Sequence, residues 1–115
     1  MQRDEASEDK KAVHFYTKLP NKISTMKVLL VDPMLATGGS ALGALNILIK
    51  EYNCKEENIL FLNTVSCPEG LNALHSKYPK LRIVTASCDS HLNEHKYIVP
   101  GLGDFGDRYY RTDDY

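Results

Sequence analysis

The sequence predicts an α/β fold: a parallel sheet with flanking helices. Two observations predict it. Aliphatic runs at residues 28–31, 59–65 and 81–86 are separated by stretches that begin at Ser40 and Ser66 and carry apolar residues at helical spacing. The first run, Val28, Leu29, Leu30 and Val31, has no polar alternation, which suits a strand buried on both faces. Strand, helix, strand, helix, strand is the order of right-handed crossovers between parallel strands.

The elements follow in order. Residues 1–11 are polar and charged, and alone read as a solvated end. Residues 12–19 read as a strand running into a turn at Pro20 and Asn21, with Val13, Phe15 and Tyr16 expected to pack. The strand at 28–31 ends in Asp32. Pro33 has no N–H to donate, so sheet pairing is expected to stop there. Met34 and Leu35 lead into Ala36, Thr37, Gly38, Gly39 and Ser40. This small-residue run leaves backbone N–H groups at a helix start, where about half a positive charge favours an anion, above all phosphate. Thr37 and Ser40 add hydroxyls, and Ser40 is the expected N-cap.

The helix carries Leu42, Leu45, Asn46, Leu48 and Ile49 on one stripe and is expected to end near Tyr52 and Asn53. The next buried strand, 59–65, leads into a second helix opened by Pro68 and Glu69. Leu71, Leu74 and Tyr78 should face inward, and Pro79 stops the helix. Residues 81–86 give the third strand. In such sheets ligands bind beyond the carboxyl ends of the strands, where Asp32 lies.

After Ser87 the chain turns irregular. Gly101, Gly103 and Gly106 formally match a dinucleotide fingerprint. The match follows Pro100 instead of a strand, and too few residues follow for a second strand, so the dinucleotide reading is rejected. A glycine-rich surface turn is the bland alternative.

Composition excludes several classes. At 115 residues the chain is one modest domain at most, with 43% hydrophobic residues. A formal charge of -1 gives no footprint for nucleic acid and no patch for a membrane surface. No apolar run approaches the roughly 20 residues needed to span a bilayer. The N-terminus does not read as a secretory signal. Cys54, Cys67 and Cys88 lack CxxC spacing and read as reduced thiols of a cytoplasmic protein. His91 and His95 would share a face only if helical, and no metal-site context surrounds them.

Residues 32–40, Asp-Pro-Met-Leu-Ala-Thr-Gly-Gly-Ser, resemble the phosphoribosyl-diphosphate (PRPP) loop of type I phosphoribosyltransferases. The Pro-Met-Leu after the Asp points to the uracil phosphoribosyltransferases; most type I relatives have a second acid where this chain has Pro33. Arg3, Asp4 and Glu5 resemble an Arg-Asn-Glu segment whose Arg contacts PRPP phosphates, a bidentate job that a guanidinium fork suits. Residues 97–108 resemble the uracil-binding hood, where main chain at the positions of Ile98, Gly103 and Phe105 meets the pyrimidine edge. The acid matching Asp104 reaches toward PRPP. Fixed backbone donors and acceptors complement uracil and reject cytosine, whose amino group would face another donor.

The resemblance implies the reaction of uracil with PRPP to give UMP and diphosphate, in pyrimidine salvage. It implies PRPP contacts from Arg3, the 32–40 loop and Asp104. It implies uracil contacts from Ile98, Gly103, Asp104 and Phe105, and catalytic roles for Asp32 and Asp104. Magnesium would enter on the PRPP diphosphate with no direct protein ligand, and a homo-oligomer is expected. Residues 1–115 would be the C-terminal portion of one phosphoribosyltransferase domain, with 1–11 a polar N-terminal segment and 88–108 the hood. Members of this family carry a substantial segment before the Arg-Asp-Glu position, so the isolated chain is expected to turn over little or not at all. A non-catalytic nucleotide-binding or regulatory module, such as the tail of a uridine kinase fusion, is the alternative.

Overall fold

A computed structural model describes residues 16–111 together with the backbone of Gln2–Arg3 and Ala12–Val13. Those two dipeptides pair antiparallel as β1 and β2, and β2 approaches the first helix. The main sheet is parallel throughout. Its centre is β5, Ile59–Ser66. One edge of β5 takes β3, Val28–Val31, and then β4, Met34–Leu35. The other edge takes β6, Arg82–Cys88. The strand, helix, strand, helix, strand order read from the sequence holds.

Pairing does not stop for good at Pro33, contrary to expectation. The Asp32 N–H still donates to the Leu62 carbonyl at 3.2 Å. Pro33 cannot donate, but its carbonyl accepts from the N–H groups of Thr64 and Val65, each at 3.1 Å. Val31 faces Leu62 and Met34 faces Val65, so the register passes through the interruption unchanged. The edge strand therefore runs past the proline and delivers Leu35, fully buried, beneath the small-residue loop.

The first helix, α1, spans Gly39–Asn46 and is capped by Gly38, not Ser40. Gly38 sits at φ 90°, in the left-handed region, and turns the chain into the helix without help from a side chain. A wider helical turn, Ile47–Glu51, extends α1 to Tyr52, and Asn53 at φ 60° ends it where the sequence placed the end. The second helix, α2, spans Pro68–Lys77 with Cys67 as N-cap residue and Pro68 in the first turn, where its missing N–H costs nothing.

Both helices contribute to a core built with β5. Leu45 and Leu48 of α1 and Leu74 of α2 meet Ile59 and Phe61 of β5, with Tyr78 and Leu81 closing the end. Leu45, Ile59, Phe61 and Leu74 are completely buried. Each such side chain contributes about 1.5–3 kcal/mol by leaving water. The Tyr78 hydroxyl donates to Asn46 Oδ1, which ties the two helices together and explains a polar residue on the α1 stripe.

The opposite face of the sheet differs from expectation. Leu29 and Val31 are 59% and 62% exposed, and Leu62 and Val84 on the neighbouring strands are exposed too. The first strand is thus buried on one face only, because the two long helices both pack on that face, against Val28, Leu30 and Phe61. The third strand is likewise an exposed edge with alternating burial. Tyr16 is exposed instead of packed, and the Val13 and Phe15 side chains lie outside the described residues.

Beyond β6 the chain forms a hairpin of β7, His91–Leu92, and β8, Ile98–Val99. Asn93 Oδ1 accepts from the N–H groups of His95 and Tyr97 and closes the turn. His91 and His95 therefore share no helix. A short helix, α3, Phe105–Tyr110, follows.

Candidate functional site

Two of the features that the sequence singled out lie at the carboxyl end of the sheet. Asp32 follows β3, and the 36–40 loop follows β4 and opens α1. Within that loop Thr37 Oγ1 accepts from the Gly39 N–H at 3.3 Å. The Gly38 carbonyl accepts from the Leu42 N–H at 2.8 Å, the first bond of the helix ladder. The loop rests on the first turn of α2. Gly38 is the reason it can: a Cβ there would lie 3.3 Å from Ala73 Cβ and 3.5 Å from the Gly70 carbonyl.

Asp32 and Phe105, one from each motif, line a single open pocket of about 440 Å³. Val31, Pro33, Leu62, Asn63, Thr64 and Ala86 complete its lining. A cleft at the carboxyl end of a parallel sheet, with a carboxylate on one wall, suits a polar ligand with an apolar face. Sequence reading treated Asn63 and Thr64 as strand residues only. Asn63 is buried; its Nδ2 donates to the Val65 carbonyl at 2.8 Å, and its Oδ1 has no partner among the described residues. A lone Asn in an aliphatic strand was the available signal.

The other described residues that the sequence singled out do not line this pocket. Gly38, Gly39 and Ser40 stand at the α1 start with Thr37 just before them, and none of the four lines the pocket. Ile98 is buried against Val65 and Cys67, with Leu102 packed on the same cluster. That packing seats the β7–β8 hairpin on the sheet's carboxyl end. Gly103 sits at φ 81° in an open turn. The Asp104 carboxylate accepts from the Asp107 N–H at 3.0 Å and so caps α3, a structural role. Arg3 falls in β1 by its backbone, and its side chain lies outside the described residues.

Cys67 is fully buried, and its Sγ donates to the Ala36 carbonyl at 3.2 Å and lies 3.7 Å from that of Leu35. Burial pushes the thiol above its ordinary range, which keeps it protonated and able to donate. Cys54, Cys67 and Cys88 are all free thiols. No described helix is long and apolar enough to cross a membrane.

Fold and site together define a parallel α/β protein with an anion-suited loop and a short hairpin at the carboxyl end of its sheet. A family model described as uracil phosphoribosyltransferase matches residues 1–112, and the chain belongs to that family. It is 56% identical over 112 residues to uracil phosphoribosyltransferase 1 of Schizosaccharomyces pombe, covering 97% of this chain and 50% of that protein. It is 52% identical over 114 residues to the uracil phosphoribosyltransferase of Dictyostelium discoideum, covering 99% and 51%. Among solved structures, the AQ2163 protein from Aquifex aeolicus superposes with a TM-score of 0.79 at 33% identity, over 96% of this chain and 50% of that one. The chain spans about half the length of the curated relatives it matches.

Proposed function

We propose that this chain supplies the sugar-phosphate and pyrimidine contacts of an enzyme that joins uracil to PRPP, giving UMP and diphosphate. The observation that carries the reading is the pocket shared by Asp32 and Phe105, two residues from separate motifs of the family the chain belongs to. In the reaction the N1–C1′ bond forms as the C1′–oxygen bond to diphosphate breaks, and charge separates at the ribose. Catalysis of such a step rests on positioning and on fixed charge.

Each residue then has its own part in the reaction. The 36–40 loop and the α1 N-terminus hold the 5′-phosphate. Asp32 accepts from the ribose hydroxyls and sets a negative charge near the developing cation. Ile98, Gly103 and Phe105 present main chain to the uracil edge. Asp104 serves the diphosphate side through water, in exchange for its bond to the α3 cap. Arg3 completes the phosphate contacts, and Pro33, Met34 and Leu35 hold the loop at the right height. Mg²⁺ enters bound to the diphosphate, as suits a hard ion that keeps much of its water; among the described residues no three His, Cys, Asp or Glu side chains converge into a metal-holding group. Residues 88–108 act as the hood of a C-terminal portion, in a cytoplasmic homo-oligomer.

Calorimetric titration with PRPP, then uracil, then UMP tests the reading. Binding of PRPP and of UMP, with uracil taken up after PRPP, supports it. UMP binding without PRPP binding points to a regulatory nucleotide pocket instead, and binding of neither overturns it. The isolated chain should form little or no UMP, because half of the relatives' length is outside it.

A further inference from the structure

One helix turn touches both parts of the proposed site. On one side, the first turn of α2 supports the phosphate loop. Cys67 Sγ donates to the Ala36 carbonyl at 3.2 Å. Gly70 lies so close beneath the loop that a Cβ there would stand 2.5 Å from the Ala36 carbonyl and 2.9 Å from Leu35 Cγ. On the other side, Glu69 Oε2 accepts from the Leu92 N–H of β7 at 2.5 Å. Its hairpin partner β8 carries Ile98, which is buried against Cys67. Residues within four positions of one another thus face two segments that are far apart in the chain.

We propose that Cys67, Glu69 and Gly70 are positioning residues that fix the phosphate loop and the hood hairpin relative to each other. The proposal rests on the functional reading above and extends it. A ligand carrying both a phosphate and a base needs the two grips at one set distance; a ligand carrying only one does not. Misplacement by an ångström costs about a hundredfold in such sites. The three residues divide the work. Gly70 and Cys67 set the height of Ala36 and hence of the amides that follow it. Glu69 holds the hairpin by a charge-assisted bond.

The test compares UMP with ribose 5-phosphate in the purified chain. Glu69→Ala should weaken UMP by about tenfold or more while ribose 5-phosphate stays within about twofold. Glu69→Gln, which keeps an acceptor, should restore most of the loss. Gly70→Ala should weaken both ligands in parallel. Should that variant not fold, Cys67→Ala takes its place, with Cys67→Ser as the rescue. Equal effects of Glu69→Ala on both ligands, or none, overturn the proposal. A wild-type chain that binds neither ligand strikes the functional reading instead. The positioning claim is then read without ligand, by amide exchange and chemical shifts. Glu69→Ala must speed exchange of the Leu92 N–H by about tenfold or more, and Cys67→Ala must move the amide resonances of residues 36–39. Failure of either sinks it.

Discussion

Two adjacent glycines in the 36–40 loop should respond to alanine with opposite signs. Gly38 has φ 90°, and a left-handed backbone costs an L-residue about 1–2 kcal/mol. A Cβ there would also press on Ala73 Cβ at 3.3 Å, which asks the α2 backbone to give slightly. Gly39 is the first residue of α1, and its nearest neighbour for a new Cβ is Thr37 Oγ1 at 3.5 Å, an ordinary contact. Alanine at that position removes backbone freedom from the unfolded chain and should be neutral or stabilising by up to about 1 kcal/mol. The two variants should therefore separate by about 2 kcal/mol, or roughly 8 °C in melting temperature for a domain of this size. Urea unfolding followed by circular dichroism, without ligand, measures the difference. Equal stabilities, or a Gly39→Ala variant less stable than Gly38→Ala, would refute the loop geometry on which the proposed phosphate site depends.

Other outcomes are equally specific. Asp32→Asn in a full-length protein carrying this segment should lower turnover by about a hundredfold or more while uracil affinity changes little, read as kcat against KM. Burial raises the titration of Cys54, Cys67 and Tyr78. Each is held neutral in the folded state, so the unfolded chain loses its protons first as pH rises. Stability should be level below the ordinary thiol range and decline from about pH 8 to about pH 10, with a shallower decline in Cys67→Ala, as measured by urea midpoints. Val31→Thr with Val84→Thr should suppress concentration-dependent association seen by light scattering, at a cost below about 0.5 kcal/mol, because both side chains are already exposed.

The strands and the two long helices were legible because their signals are local. Aliphatic runs bounded by Asp32-Pro33, Pro68 and Pro79 leave little choice of element. The bare face of β3 was not legible: Val28 to Val31 read the same whether both sides are covered or one is. The cap at Gly38 was missed because several small residues in a row can each start a helix; Ala73, thirty-five positions on, decides which one does. Strands of two residues, such as those at 91–92 and 98–99, carry no periodicity, so this hairpin was not legible in the sequence. The role of Cys67 was hidden for a different reason. A buried cysteine looks like any small apolar residue until its neighbour across space is seen to be a loop carbonyl.

The unbroken register through Asp32 and Pro33 carries a further consequence. Val31, Met34 and Leu35 keep the same offset to β5 on either side of the proline, so the peptide between them works as a ruler with no slack. Adding or deleting one residue there would turn Leu35 outward and Met34 inward and lift the loop off its seat. Changes in length belong elsewhere, at the exposed hairpin tip of residues 94–96, where the chain only has to come back.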